Sequence, residues 1–278
     1  MKIYSPSQTK AFLECPMFWS LGRKGWTSRT YNKGSLYAIR GSAVSDGLEA
    51  YNRGKSAQDI TTAVEESVAR LWVQAKIDHR EWVEFKSAPL SLDEITTQAL
   101  ELVGAYSVGP PTAYTVQHAE YVFANHGNAR ADVLGLNPQG RLIPVDYKCK
   151  DIPAVEYYRH LAKQAYRYDW QFMHYCWAVS EEFQTACFEF GIVILWYGKN
   201  PQIEYLVYSV SPTRLKLWYE SATAVWERME RCELGLEPIT EVAEHSNRFG
   251  LCVYHKACLE YHRDEDLMIQ DYFLNPRG

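Results

Sequence analysis

The sequence predicts an α/β protein, a sheet covered by helices, on three observations. Ala129 to Leu136 and Arg141 to Tyr147 are two apolar-patterned arms around the turn formers Asn137, Pro138, Gln139 and Gly140, which is a hairpin signal. Cys187 to Tyr197 is a continuous apolar run of the kind that fills a strand buried on both faces. Around these strands lie stretches whose apolar residues recur at helical spacing. At 278 residues the chain can bury a substantial core, and its length fits a single domain with an insertion.

The elements follow in order. Ser5-Pro6-Ser7 opens an N-capped helix that stops near Cys15-Pro16. Gly41 to Tyr51 carries Val44, Leu48 and Tyr51 at helical spacing and should be a second helix, closed by Gly54. Ala57 to Ala75 is amphipathic, and Ser91 with Glu94 forms a capping box for a helix running to about Tyr106, ended by Pro110 and Pro111. Residues 55–110 read as a helical insertion. From Tyr114 the period becomes strand-like, with His118, Glu120 and Val122 alternating against Ala119, Tyr121 and Phe123. After the hairpin and the break at Ile152-Pro153, Val155 to Glu182 reads as one long helix. The apolar strand then leads through Gly198 to Pro201 into Gln202 to Val210, and Ser211-Pro212 caps a last helix to about Cys232.

The hairpin carries chemistry. Residues two apart in a strand share a face, so Asp146 and Lys148 project together, and Asp132 on the neighbouring arm can reach the same spot. Paired carboxylates suit a hard divalent ion such as Mg2+ or Mn2+, and a nearby lysine can orient a water or offset phosphate charge. Glu120, one strand earlier, is either a further metal ligand, direct or through water, or an exposed strand carboxylate. Gln171 and Tyr175, four apart in the run DWQFMHYCWA, share a helical face.

An acid on one strand, then Asp146-Tyr147-Lys148 on the next, then the Gln171/Tyr175 pair resemble the RecB-like exonuclease branch of the PD-(D/E)XK nuclease superfamily. The resemblance implies a restriction-endonuclease-like core, a central mixed β-sheet flanked by helices, with the helical insertion added to it. It implies a metal-dependent DNA nuclease, an exonuclease of a phage or CRISPR-associated type, that hydrolyses phosphodiester bonds. Asp132, Asp146 and the carbonyl of Tyr147 would hold Mg2+ or Mn2+, Lys148 would orient the attacking water, and Gln171 and Tyr175 would position the site or touch the strand. The branch shows a glycine followed four residues later by a metal-binding histidine. Here those positions are Gly41 and Ser45, so either Asp46 or Glu49 contributes or the site works without the histidine. The alternative reading is a catalytically weakened DNA-binding or assembly protein that keeps the fold.

Iron-sulfur members of that branch staple the chain ends with one N-terminal and three C-terminal cysteines, which would enlist Cys15, Cys252 and Cys258, completed by Cys232, His255 or His262. A zinc knuckle from Cys252, Cys258 and the histidines, or plain buried thiols, stand beside that 4Fe-4S reading. Seven cysteines without a secretory hydrophobic segment argue against a disulfide framework and for a cytoplasmic address, in a bacterial cell or phage-infected host.

A net charge of -5 argues against broad adhesion to nucleic acid but leaves room for a local basic channel. Its candidates are Arg23, Lys24, Arg29, Lys33 and Arg40, with Lys150, Arg159, Lys163 and Arg167 near the hairpin, and Trp19, Trp26 and Tyr31 as base-stacking groups. Cys149 is expected on the face opposite Lys148, and His160 and His174 as structural or surface groups. No Gly-rich phosphate loop or serine-hydrolase elbow is present.

Overall fold

The computed structural model describes residues 1–24, 26–28, 36–78, 91–109, 114–153, 156–167, 169–239, 246–247, 250–251 and 272–274. They run as α1 (Pro6–Glu14), α2 (Pro16–Arg23), β1 (Trp26–Ser28), α3 (Leu36–Asn52), α4 (Ala57–Asp78), α5 (Leu92–Ser107), β2 (Thr115–Phe123), β3 (Ala129–Leu136), β4 (Leu142–Asp151), α6 (Glu156–Tyr166), α7 (Trp170–Phe183), β5 (Glu189–Tyr197), β6 (Gln202–Ser209), α8 (Pro212–Glu233), β7 (Ser246–Asn247), β8 (Gly250–Leu251) and β9 (Tyr272–Leu274). Two compact units result: residues 35–75 and 84–220 form one, and residues 1–34, 76–83 and 221–278 the other.

The larger unit is built on a mixed five-stranded sheet in the order β2-β3-β4-β5-β6. β2, β3 and β4 are joined antiparallel, β4 and β5 parallel, and β5 and β6 antiparallel. A parallel pair needs a crossover across one face, and α6 and α7 supply it. The hairpin turn forms as its residues dictate. Asn137 Oδ1 accepts from the amides of Gln139 (3.1 Å) and Arg141 (2.9 Å), and Gly140 takes φ +72°, open to glycine without strain.

Alternation along β4 and β5 assigns the two faces. Phe190 of β5 stacks on Phe172 of α7, centroids 4.7 Å apart, while Tyr197 of β5 meets Arg40 of α3. On β4, Lys150 lies over Tyr166 at the end of α6, whereas the Tyr147 hydroxyl accepts from Asn52 of α3. One face therefore carries α6 and α7, and the other α3 and α5. The central residues of β5 are all buried, as its unbroken apolar run requires. Close packing of α3 rests on Gly47, where a Cβ would stand 2.7 Å from Val64 and 2.9 Å from Val103.

Three expectations change. Val155 to Glu182 is two helices, because Asp169 caps a new start: its carboxylate accepts the amide of Gln171 at 3.0 Å. The second helix begins at Leu36 rather than Gly41. β2 does not alternate cleanly, since its register shifts between Val116 and His118 and Glu120 takes φ +52°.

In the smaller unit, Ser5 and Gln8 form a capping box on α1, and Cys15 ends α1 and caps α2, its sulfur accepting the amide of Phe18 at 3.5 Å. Trp19 packs edge-on to Phe12 at 5.1 Å and is buried, so it belongs to the core and not to a base-stacking channel. Arg23 pairs with Glu233 at 2.8 Å, and Trp226 donates to Thr9 at 3.0 Å. Tyr31, Arg29, Lys33, Cys252, Cys258, His255, His262 and the side chain of Trp26 lie outside the described residues. No helix among the described residues is long and apolar enough to cross a membrane.

Candidate active site

The site begins where the sheet opens. β3 and β4 pair from Leu136↔Leu142 to Val133↔Val145, and there the ladder stops. Beyond it the amide of Tyr147 donates not to a backbone carbonyl but to Asp132 Oδ2, at 2.6 Å. A side-chain carboxylate has replaced a rung of the sheet, which brings Asp132 beside Asp146. β4 meanwhile stays paired with β5 as far as Asp151, so Asp146 and Lys148 sit on a strand held along its other edge.

Asp146 is buried, and its two oxygens have separate partners. Oδ1 accepts from Gln171 Nε2 at 3.1 Å, and Oδ2 lies in close ionic contact with the Lys148 ammonium. Gln171 Nε2 also donates to the Tyr175 hydroxyl at 2.6 Å, and that hydroxyl donates to the carbonyl of Arg130 on β3. The pair expected from spacing thus forms a brace from the first turn of α7 to both acid-bearing strands. Tyr175 is buried among Phe123 and Phe172, so its part is to hold the site.

On the opposite face the Tyr147 hydroxyl accepts from Asn52 Nδ2 at 2.7 Å and meets Tyr106 at 3.2 Å, with Tyr114 a further 3.3 Å along. This chain fixes the residue whose amide holds Asp132 and whose carbonyl is the expected metal ligand. Cys149 faces that same side, 3.9 Å from where a Cβ on Gly41 would stand, and burial pushes its thiol up. It is a packed group.

The electrostatics are those of crowded, desolvated acids. Burial and then the charge of Asp146 raise Asp132 to about 7, against the opposing Tyr147 amide and Lys148. Asp146 is also raised, by burial first, with Lys148 countering. Burial pulls Lys148 down, but the neighbouring carboxylates outweigh it and hold the amine protonated. Two further groups act here that the spacing did not reveal. Asp169 adds negative charge felt by both Asp146 and Lys148, and Tyr166 feels both carboxylates in turn. Only the N-cap pattern of Asp169 before an apolar run pointed to it.

Glu120 lies near this group without joining it. Its Oε2 faces Arg130 at 3.4 Å, and burial raises its pKa. Asp46 and Glu49, the alternatives to the missing histidine, are occupied by Arg70 (3.0 Å) and Arg53 (2.5 Å) around a cavity of about 290 Å³ between α3 and α4. Arg40 is buried and bound to Asp151 and Gln98, and Arg159 and Lys163 both pair with Glu204. These three cations of the expected channel are thus committed to internal pairs. His174 is buried against the carbonyl of His126 at 2.9 Å and lowered to about 4 by burial, a structural group, while His160 is exposed.

Among the described residues no three His, Cys, Asp or Glu side chains come together as a metal cage. The donors present still fit a hard divalent ion. Burial and the charge of Asp146 raise the proton affinity of Asp132, and the buried Asp146 Oδ2 has the Lys148 ammonium as its ionic partner. Such oxygen sites, completed by a backbone carbonyl and waters, suit Mg2+ or Mn2+.

A family model described as the PD-(D/E)XK nuclease superfamily matches residues 3–258. Nine chains of solved structures match, among them a "Putative exonuclease" from Eubacterium rectale. It is 15% identical, the comparison covering 86% of this chain and 84% of that chain, with a TM-score of 0.46. No curated protein matches.

Proposed function

Because the chain belongs to the PD-(D/E)XK nuclease superfamily, we propose that it is a metal-dependent deoxyribonuclease of the RecB-like branch, cutting DNA from an end by hydrolysis in the cytoplasm. The observation that carries this reading is the opened sheet at Asp132, Asp146 and Lys148, where a side-chain carboxylate takes the Tyr147 amide. Asp132, Asp146 and the Tyr147 carbonyl would hold the ion. When bound, Mg2+ or Mn2+ supplies a Lewis acid at the phosphate and a more acidic water.

The residues of the chain do the rest. Lys148, kept protonated by its acidic neighbours, donates to the attacking water or to a phosphate oxygen and stabilises the charge that builds there. The neighbouring carboxylates favour its protonated form, so it acts as a cation. Gln171 fixes Asp146 in one orientation, so that its lone pairs stay aimed, and Tyr175 fixes Gln171 to β3. Asp169 adds negative charge that strengthens the hold on a cation.

A second reading is motivated by Ser45. A hydroxyl is a poor metal ligand beside imidazole, and a weakened site would leave a DNA-binding or assembly protein with the same fold. Incubating end-labelled single-stranded DNA, duplex DNA and RNA with magnesium, manganese or EDTA separates the two. Divalent-dependent shortening of DNA from an end, abolished by EDTA, is the expected result. DNA binding without cutting in either metal, followed by cutting in a Ser45→His variant, would instead establish the second reading.

A further inference from the structure

Past the Val133↔Val145 pair the β3–β4 ladder is open, and Tyr147 is the first strand residue there whose amide needs another partner. It finds Asp132 Oδ2 at 2.6 Å. The amide and carbonyl of one strand residue point to the same edge, so both face the opened side. A slip of this single residue therefore moves the carboxylate and the carbonyl together. Its side chain goes the other way, to the face that carries α3 and α5.

There the hydroxyl enters a directed chain. Asn52, the last residue of α3, donates to it at 2.7 Å. A hydroxyl that accepts from an amide keeps its own proton to give, and Tyr106 stands 3.2 Å away, with Tyr114 3.3 Å beyond Tyr106. All three tyrosines are buried, and the rings of Tyr106 and Tyr147 meet edge to face at 5.6 Å. Burial pushes the hydroxyls of Tyr147 and Tyr114 far up, so both stay neutral donors. The origin of the chain is fixed by how α3 ends. Gly54, at φ +69°, turns the backbone just past Asn52, its amide donating to the carbonyl of Tyr51 and that of Lys55 to the carbonyl of Ala50.

We propose that Asn52 is a positioning residue of the metal site, holding the Tyr147 hydroxyl so that the Tyr147 amide keeps Asp132 in place and the Tyr147 carbonyl stays aimed at the ion. The inference rests on the reading of Asp132, Asp146 and that carbonyl as the ligands of Mg2+ or Mn2+. It gives α3 a part in the site although Ser45 stands where the branch has a ligand: the helix acts from the opposite face of the sheet, through its last residue. Asn52 touches neither DNA nor the ion, so its effect falls on metal affinity, where partners behind the ligands count for roughly 10–100-fold.

The test compares wild type with Asn52→Leu, Tyr147→Phe and the double variant, which remove the bond at near-constant volume. Hydrogen exchange in EDTA, read by NMR at the amides of Tyr147 and Val145, reports the hold on the backbone without metal or substrate. Titration with Mn2+ followed by electron paramagnetic resonance reports the site. Each single variant should exchange about tenfold or more faster at Tyr147, with Val145 unchanged, and bind Mn2+ about tenfold or more weaker. The double variant should lose no more than the larger single loss, because both changes break one bond. Wild-type Mn2+ affinity in the two single variants overturns the role. So does an equal rise in exchange at Val145, which would make the bond a matter of general stability, or losses that multiply in the double variant. Failure of the wild type to bind Mn2+, with exchange at Tyr147 still faster in Asn52→Leu, would remove the metal reading and leave the hold of Asn52 on Tyr147 standing.

Discussion

Asp132 shows how one residue links fold and chemistry. Its carboxylate completes the backbone pairing of Tyr147, yet burial and Asp146 lift it to about 7, against an ordinary value near 3.9. A carboxyl whose proton affinity rises on folding stabilises the fold when protonated. That contribution is complete below its unfolded pKa and is lost as pH rises through about 7. Asp146, also raised, acts in the same sense. His174, lowered to about 4, acts in the opposite sense, its burial costing stability as pH falls below about 6.5. Thermal melts in EDTA should therefore show wild type losing stability, relative to Asp132→Asn, as pH rises from about 5 to about 8, because His174 is common to both proteins. Added manganese should reverse the loss at the upper end, since it binds the deprotonated acids. Parallel melting curves for the two proteins across that range would contradict this electrostatic picture.

Among the elements, α3 illustrates which glycine matters. Gly41, the position that fits the family pattern, would place a Cβ in ordinary contact 3.9 Å from Cys149, whereas Gly47 has no room against Val64 and Val103. Gly47→Ala should cost about 1–3 kcal/mol from overpacking, partly offset by the roughly 1 kcal/mol that alanine gains in a helix. Gly41→Ala should be neutral or stabilising, and urea melts of the two variants measure the difference. Equal midpoints would show that α3 can shift away from α4 and α5. The hairpin and the α5 capping box were legible in sequence because their signals are local: Asn137 and Gly140 specify a turn, and Ser91 and Glu94 specify a helix start. The break between α6 and α7 was not, because no proline or glycine interrupts Tyr166 to Trp170 and the only sign is the cap residue Asp169. Neither was the left-handed Glu120, which falls between the β3-paired residues Ala119 and Tyr121.

For the molecule as a whole, Asp132, Asp146, Lys148, Gln171 and Tyr175 were legible as one site because a strand places alternate residues together and a helix every fourth. What local patterns could not give is where charges go after folding. Arg40, Arg159 and Lys163 looked like channel cations in sequence, and each is spent on an internal acid. In a chain of net charge -5, these pairings take three cations out of the expected channel. The boundary between the two compact units, inside α8, is also silent in composition, since the helix continues through it.

The central claim is that Asp146 and Lys148 carry out metal-dependent hydrolysis of DNA. Its most direct test is single-turnover cleavage of end-labelled single-stranded DNA in magnesium by wild type, Asp146→Asn and Lys148→Ala, with melting curves to show that each variant is folded. Both folded variants should lose on the order of 100-fold or more in cleavage rate while still binding DNA in EDTA. A folded variant of either kind that cuts at the wild-type rate would contradict the assignment of the site.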